Sequence, residues 1–273
     1  MELTGERFLP QMRGVIEYEH LSRYFFVIQQ IDIKGKTIID LASGEGYGSE
    51  ILSRVAQKVI GIDISIEAVN YAKKHYERGN LEFIEGDACN IPLEDNFADV
   101  FVSFETIEHH DKHHEMLSEI KRVLKPEGIL IMSSPDKKYY TDIPDYKNKY
   151  HVKELYFEEF KHLIRNYFKN NYFFLQNNFS GSIITADYPL RNEALQTIVD
   201  INGNEMNFVP LYNISISTDN SDFYPIFHQM LYGNHQLLTE EEVFQSQQEI
   251  RRTDEFRLGK KILKRLKFIR KFL

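Results

Sequence analysis

The side chains best suited to move a proton lie in one short segment, FETIEHH, at residues 104–110. An apolar run at residues 97–104 comes directly before it and predicts a buried strand. Open α/β sheets place their chemistry at the carboxyl ends of strands, so Glu105, His109 and His110 are candidate catalytic groups. An imidazole at this place could take a proton from a hydroxyl group. His109 is the first candidate, and His110 is the alternative.

Two other uses of this segment are open. Glu105 or Glu108 could hold His109 for a purely structural purpose. Glu108, His109, His110 and Asp111 together offer the donor types of a metal site. However, adjacent residues on one short segment rarely converge on one ion, so we predict no metal site.

A second group of polar side chains precedes the first predicted strand. The spacing of Leu21, Phe25 and Ile28 predicts a helix at residues 16–31, which we expect to cover the site as a lid. The candidate substrate-binding residues are Arg7, Tyr18, Glu19, His20 and Arg23, joined by His151 from a later polar stretch. The two arginines would hold an anionic group. The alternative is a solvated helix face with surface ion pairs of little energetic consequence.

A glycine-rich turn connects the first predicted strand, residues 37–41, to a helix. Gly44, Gly46 and Gly48 give the spacing G-x-G-x-G, and Ser49 stands where a dinucleotide fingerprint would need glycine. This spacing disfavours oxidoreduction with a nicotinamide cofactor. The turn lets backbone approach a ligand, and the preceding acid, Asp40, suits a ligand with an ammonium group or hydroxyls.

Two further acids follow the next strands. Asp63 ends a predicted strand at residues 58–62, where a carboxylate can accept both hydroxyls of a ribose. Ile64 could then lie against an adenine face, and Asp87 could accept the adenine amino group. Asp87 could instead be a turn-former.

Alternating strands and helices predict an α/β fold with a parallel sheet and right-handed crossovers. Predicted strands lie at 37–41, 58–62, 81–85, 97–104, 129–133, 172–176 and 209–218, and predicted helices at 66–78, 112–124 and 154–168. Residues 179–207 are hard to assign and could be an insertion, and residues 222–256 favour helix.

The charge distribution separates the C-terminal tail from the rest of the chain. The chain has 273 residues and a formal net charge of −8, while residues 257–273 carry eight Lys or Arg and no acid. The acidic remainder argues against nucleic acid as a partner. The basic amphipathic tail could dock on a membrane surface or on a partner. One cysteine and the lack of a signal peptide predict a cytoplasmic location, with the inner membrane face as a docking place.

Four motifs occur in order, DLASGEGYG, IGIDIS, EGDA and VFVSFETIEHH, and together they resemble class I S-adenosylmethionine-dependent methyltransferases. The segment VLKPEGILIMSSP resembles the fifth-strand segment of that family, and the resemblance covers about residues 35–180. Ala42 departs from it, because the family usually has glycine there. The implied cofactor is S-adenosylmethionine, with S-adenosylhomocysteine as its product.

The resemblance also implies a fold and a set of cofactor contacts. The fold would be a Rossmann-like, mostly parallel seven-stranded sheet with helices on both faces, with residues 209–218 as its antiparallel final strand. The implied cofactor-binding residues are Asp40, Ala42, Ser43, Gly44, Gly46, Asp63, Ile64, Asp87, Ala88 and Phe104. We expect an N-terminal arm and helical lid at 1–34, the methyltransferase domain at 35–220, and a C-terminal helical extension at 221–273.

The flanking motifs TGERFLP, EYEHLSRY, FETIEH and HVKELYFEEF resemble a bacterial subgroup that methylates sugars in capsule and O-antigen biosynthesis. The implied acceptor is a hydroxyl or a phosphate-type group of a sugar, a nucleotide-sugar or a lipid-linked glycan. Two alternatives are N-methylation of an amino sugar and a cofactor-binding module that docks through its tail without turnover.

Overall fold

The computed structural model describes residues 15–179, 181–187, 198–199, 205–206, 209–226 and 229–232. These residues all fall within one compact unit that spans residues 1–233. Arg7 and the basic tail at 257–273 lie outside the described residues. Among the described helices, none combines the length and the apolar character that crossing a membrane would require.

Helices and strands alternate along the chain as the sequence predicts. The strands are β1 (Thr37–Leu41), β2 (Lys58–Asp63), β3 (Leu81–Glu85), β4 (Ala98–Ser103), β5 (Leu124–Pro135), β6 (Asn170–Phe179), β7 (Gly181–Ala186), β8 (Ile198–Val199), β9 (Glu205–Met206), β10 (Tyr212–Thr218) and β11 (Gln229–Tyr232). The α-helices are α1 (Val15–Gln30), α2 (Tyr47–Ser53), α3 (Ile66–His75), α4 (His113–Val123) and α5 (Phe157–Arg165). A 3-10 turn (Ile107–His109) and a π-helical turn (Lys138–Asp142) complete the described elements.

The main sheet has the described order β11-β7-β6-β10-β5-β4-β1-β2-β3. Strands β5, β4, β1, β2 and β3 pair in parallel, whereas β10 lies antiparallel between β5 and β6. This arrangement confirms the Rossmann-like class and the antiparallel role of the strand predicted at residues 209–218.

The predicted number of strands is too low, because β7 and β11 bring the described strands of this sheet to nine. β7 folds back on β6 as a hairpin and β11 pairs with β7. The helical prediction for residues 222–256 is therefore wrong at Gln229–Tyr232. The Glu/Gln-rich part of the segment, residues 239–249, lies outside the described residues.

Successive apolar side chains of the strands point to opposite faces of the sheet, so that each face carries a buried cluster. In β1, Ile39 packs in one buried cluster with Met116 of α4 and Phe160 of α5. Its neighbour Ile38 points to the opposite face and packs in a cluster with Phe26 of α1. All five side chains are fully buried, so helices cover both faces as predicted.

Helix α1 is fixed over the carboxyl end of β1 by Tyr24. The Tyr24 hydroxyl donates to Asp40 Oδ1 at 3.3 Å, and its ring lies on the backbone of Gly48 in α2. A Cβ at Gly48 would come within 1.9 Å of the Tyr24 ring. Glycine at this position therefore lets α1 approach α2 closely enough to reach the strand ends.

Gly48→Ala should loosen α1, because the added methyl group must displace a buried aromatic ring. We expect a loss of about 1–3 kcal/mol in the free energy of unfolding, typical of overpacking. The matched control is Gly79→Ala, where a Cβ would meet nothing within 4 Å. Denaturant unfolding of both variants is the measurement. Equal stability of the two would show that the contact between Tyr24 and Gly48 does not hold α1 in place.

Candidate functional site

A cavity of about 800 Å³ opens where the carboxyl ends of β1, β2 and β4 meet beneath α1. It lies where an open α/β sheet is expected to bind its ligand. The predicted site residues that line it are His20, Arg23, Ala42, Ser43, Gly44, Asp63, Ile64, Asp87, Ala88, Phe104, Glu105, His109 and His110. The two predicted sets, cofactor and catalytic, thus share one space.

The glycine turn presents bare backbone to this cavity. Gly44 has a φ of 53°, and a Cβ there would meet nothing within 4 Å, so the open side of the turn faces free space. Ala42 also adopts a left-handed conformation, with a φ of 58°. The turn therefore keeps its shape without the usual glycine, at a cost of roughly 1–2 kcal/mol.

Asp63 ties the turn to the end of β2. Its Oδ2 accepts a hydrogen bond from the Gly44 amide at 2.8 Å, and its Oδ1 accepts one from the Ser65 amide at 2.9 Å. A carboxylate offers about four lone-pair sites, so this one can also accept ligand hydroxyls. Ile64, which follows it, is 69% exposed although apolar, and it lines the cavity beside the carboxylate.

Asp87 combines the two roles that the sequence left open. Its Oδ1 accepts the Cys89 amide at 2.8 Å, which is a turn-forming contact. The same side chain and Ala88 line the cavity, at the end that Ile64 also borders.

Asp40 and Gly46 stand behind the cavity instead of lining it. Asp40 is 1% exposed, and its carboxylate accepts from Ser49 Oγ at 2.6 Å and from the Tyr24 hydroxyl. Burial raises the pKa of Asp40 to about 7. At Gly46 a Cβ would come within 2.6 Å of the Phe83 ring. Both residues therefore shape the turn, and neither is among the residues that line the cavity.

Arg23 is the largest fully buried side chain at the α1 side of the cavity. Its Nε donates to Gln176 Oε1 at 2.8 Å, and its guanidinium lies 4.4 Å above the Tyr212 ring. Nη2 is 3.7 Å from Glu105 and 3.9 Å from Glu19, too far for hydrogen bonds. Nη1 and Nη2 have no hydrogen-bond partner among the described residues. Buried donors are normally satisfied, so an oxygen-bearing ligand would complete this group. The alternative of a surface ion pair is excluded for Arg23.

The other predicted residues of α1 differ in their access to the cavity. Burial, and then the charge of Arg23, lower the pKa of His20 to about 3, so His20 is a neutral ring near Tyr47. Glu19 Oε2 accepts a hydrogen bond from Asn178 Nδ2 at 2.8 Å. Neither Glu19 nor Tyr18 lines the cavity.

Glu105 and His109 are presented to the cavity by the end of β4. Glu105 adopts a left-handed φ of 49°, and its Oε1 accepts from Ser133 Oγ at 2.6 Å. His109 Nδ1 donates to the Tyr150 carbonyl at 3.2 Å, which leaves its Nε2 lone pair to accept. Tyr150, and not Glu105 or Glu108, orients His109.

His110 is less suited to accept a proton. Its Nε2 lies 3.2 Å from the sulfur of Met116, and burial lowers its pKa. His151, predicted to contact substrate, does not line the cavity. Its ring lies 5.2 Å from that of His109, and its Nδ1 donates to Glu154.

Sequence reasoning missed three tyrosines, Tyr24, Tyr47 and Tyr150, that line the cavity. Tyr24 belongs to the segment EYEHLSRY, but its helical position alone does not separate it from a core residue. Tyr47 lies inside the glycine-rich turn, and Tyr150 precedes His151. Glu108 was also missed as a buried acid: it is fully buried, and burial followed by the Glu105 charge raises its pKa well above the usual range.

Comparison with known proteins agrees with this geometry. Residues 39–132 match the family model described as a methyltransferase domain. A probable S-adenosylmethionine-dependent methyltransferase of Mycolicibacterium smegmatis is 32% identical over 60% of this chain and 63% of its own length. A fatty-acid O-methyltransferase of the same organism is 27% identical over 48% of this chain and 50% of its own length. The matched region thus spans about three fifths of the first relative's length and half of the second's.

Solved structures show the same fold. A possible histamine N-methyltransferase from Thermotoga maritima has a TM-score of 0.56 and 19% identity, covering 75% of this chain and 90% of that one. The class I methyltransferase fold is therefore present here. The domain match and the relatives show that this chain is similar to S-adenosylmethionine-dependent methyltransferases.

Asp40 should make the stability of the ligand-free protein depend on pH. Its pKa rises from 3.8 to about 7 on folding, so its contribution is fully present below pH 3.8 and is lost as the pH rises through 7. Relative to Asp40→Asn, the wild type should lose about 2–3 kcal/mol of unfolding free energy between pH 5 and pH 8. Denaturant unfolding at the two pH values measures this difference. A difference that does not change with pH would contradict the role given to the buried carboxyl.

Proposed function

We propose that this chain transfers a methyl group from S-adenosylmethionine to an oxygen atom of a sugar-containing acceptor. The observation that carries the proposal is the single cavity with two chemically different ends. Asp63, Ile64 and Asp87 follow β2 and β3 on one side of β1, whereas His109 follows β4 on the other side, where Arg23 lies 3.7 Å from Glu105.

The cofactor end fits an adenosyl group. Asp63 would accept the ribose hydroxyls while its two amide contacts keep it in place, and Ile64 would cover one face of the base. Asp87 and Ala88 would meet the base edge. The open backbone at Gly44 leaves room for the methionine part, and Ser43 Oγ, buried without a hydrogen-bond partner among the described residues, would face it. When bound, the cofactor supplies an electrophilic methyl group on a positively charged sulfur.

The acceptor end favours a polar molecule. Its lining includes His20, Arg23, Glu105, Thr106 and Tyr150, which offer hydrogen bonds to hydroxyl or anionic oxygens. The names of some relatives include fatty-acid and other lipid substrates, so a lipid carrier attached to the sugar is compatible, with its apolar part outside this end.

The chain must align the acceptor, take up its proton and keep water away. We assign the proton of the acceptor hydroxyl to His109, because its Nδ1 is fixed on Tyr150 and its Nε2 is left to accept. Glu105, held by Ser133, would orient the acceptor beside it. The rings of Tyr24 and Phe104, 5.2 Å apart and largely buried, would exclude water from the space between the two ends.

The decisive experiment supplies isotope-labelled S-adenosylmethionine with nucleotide-linked hexoses and heptoses, their phosphorylated forms, amino sugars and lipid-linked glycans. Label in an O-methyl ether or ester of a sugar acceptor supports the proposal. Label on an amino nitrogen would move the assignment to N-methylation. Calorimetric binding of the cofactor without transfer to any acceptor class would favour a module without turnover.

Asp63→Asn should weaken cofactor binding. An amide nitrogen in place of one carboxylate oxygen would face an N–H donor of Gly44 or Ser65, and the charge-assisted bonds to the ribose would be lost. We expect the Kd for S-adenosylhomocysteine to rise roughly 10- to 100-fold, equivalent to about 1.5–3 kcal/mol. Calorimetry measures this, with the exposed Asp95→Asn as the control. Unchanged affinity would remove Asp63 from the cofactor site.

Arg23→Lys should affect the acceptor more than the cofactor. Lysine keeps a positive charge near Glu19 and Glu105, but it lacks the guanidinium nitrogens Nη1 and Nη2, which have no partner among the described residues. Thermal unfolding of the variant would check that it is folded. We expect the acceptor KM to rise about tenfold, while the Kd for S-adenosylhomocysteine stays within about twofold. The opposite pattern, a weaker cofactor and an unchanged acceptor KM, would place Arg23 on the methionine carboxylate.

A further inference from the structure

The buried carboxylate of Glu108 has no counterpart in the methyl-transfer scheme. Its side chain is 0% exposed, and neither carboxylate oxygen has a hydrogen-bond partner among the residues that the structure describes. A buried carboxylate is normally paired, hydrogen-bonded or bound to a metal ion. Its backbone carbonyl, in contrast, accepts the amides of Val152 and Lys153 at 2.8 and 3.0 Å. The polypeptide around Glu108 is therefore fixed, and only the carboxylate lacks a partner.

Two histidines lie beside this carboxylate. Ligand atoms of Glu108, His109 and His151 all lie within 4.8 Å of one another. His151 comes from a loop 42 residues further along the chain than His109, and the backbone bonds to Glu108 bring it here. The three residues therefore converge from two segments, which a short sequence window could not reveal.

Both imidazoles are oriented as metal-binding histidines commonly are. His109 donates through Nδ1 to the Tyr150 carbonyl, and His151 donates through Nδ1 to the Glu154 carboxylate. Such contacts fix the ring and direct the Nε2 lone pair towards a ligand. His151 Nε2 accepts from Asn148 Nδ2 at 3.0 Å, and an ion would replace this hydrogen bond.

We propose that Glu108, His109 and His151 bind a divalent first-row transition-metal ion at the acceptor end of the cavity. Two imidazoles and one carboxylate suit zinc, manganese or iron better than magnesium or calcium, which prefer oxygen ligands only. Three protein ligands leave open coordination positions for a further oxygen. His109 lines the cavity and is exposed, so the ion and an acceptor can reach the site from the same side.

The ion would bind the acceptor oxygen, and this role rests on the proposed function. Coordination would lower the pKa of the acceptor hydroxyl, and its proton would leave to solvent water. With the ion bound, His109 Nε2 would be a metal ligand, and the ion would replace the base role that His109 has in the metal-free site. The oxygen lone pair then forms the bond to the methyl carbon, and the electron pair of the breaking carbon–sulfur bond stays on sulfur. The site would thus select acceptors that can present a hydroxyl, or a vicinal pair of oxygens, to a metal.

The test is direct metal binding by the tag-free full chain after treatment with EDTA. We expect calorimetry with Zn²⁺, and electron paramagnetic resonance with Mn²⁺, to show one bound equivalent. Glu108→Gln, His109→Gln and His151→Gln should each raise the Kd more than about tenfold. The control is His75→Gln, on the exposed end of α3 and outside the cavity, which should bind the ion as the wild type does.

Two results would overturn the site. The first is no stoichiometric Zn²⁺ or Mn²⁺ binding to the wild type. The second is equal binding by wild type, His109→Gln and His151→Gln, which tests the site even if Glu108→Gln folds poorly. Full methyl transfer in EDTA would refute the role in catalysis while leaving the proposed function intact. Stoichiometric metal binding by a chain that does not bind S-adenosylmethionine would support the metal site and contradict the proposed function.

Discussion

Two hydrogen bonds accepted by one carboxylate hold the cofactor end of this molecule in shape. Asp63 takes the amide of Gly44 from the turn after β1 and the amide of Ser65 from the start of α3. The ends of two parallel strands are therefore locked together, and the glycine turn cannot close over the space above it. The left-handed conformation of Ala42 is tolerated because this neighbourhood fixes it. These two hydrogen bonds therefore help to keep open the cavity that Ile64 and Asp87 line.

The acceptor end depends on how α1 is docked. Tyr24 reaches through to Asp40, and its ring uses the space that Gly48 leaves. This contact brings Arg23 to a position where Gln176 of β6 and Tyr212 of β10 enclose it. A charged group is buried there at a considerable desolvation cost, offset by Glu19 and Glu105 nearby. Because burying this charge costs free energy, the Arg23 guanidinium is better explained as part of a binding site than as a source of stability.

Local periodicity and turn chemistry were enough to predict the sheet core. The runs at 37–41 and 58–62 are apolar and β-branched, and the turn after each contains the glycine or aspartate that the geometry needs. The same reasoning located Asp63, Ile64 and His109 in the cavity. It could not show that Asp40 lies behind the turn, because an acid at a strand end has the same sequence signature whether it faces ligand or core. It also could not pair Glu108 with His151, since their contact depends on tertiary packing. The strands β7 and β11 were not predicted, because their short segments show no strong alternation of apolar and polar residues.

The two ends of the cavity draw on different parts of the chain. The cofactor end comes from one continuous stretch between β1 and the segment after β3, whereas the acceptor end combines α1, the segment after β4 and the side chains of β6 and β10 that hold Arg23. Under the proposed function, mutations that reshape α1 or the later strands would therefore change acceptor binding and leave cofactor binding intact. Acceptor specificity would then diverge among homologues through substitutions in these later segments, without change in the residues between β1 and β3.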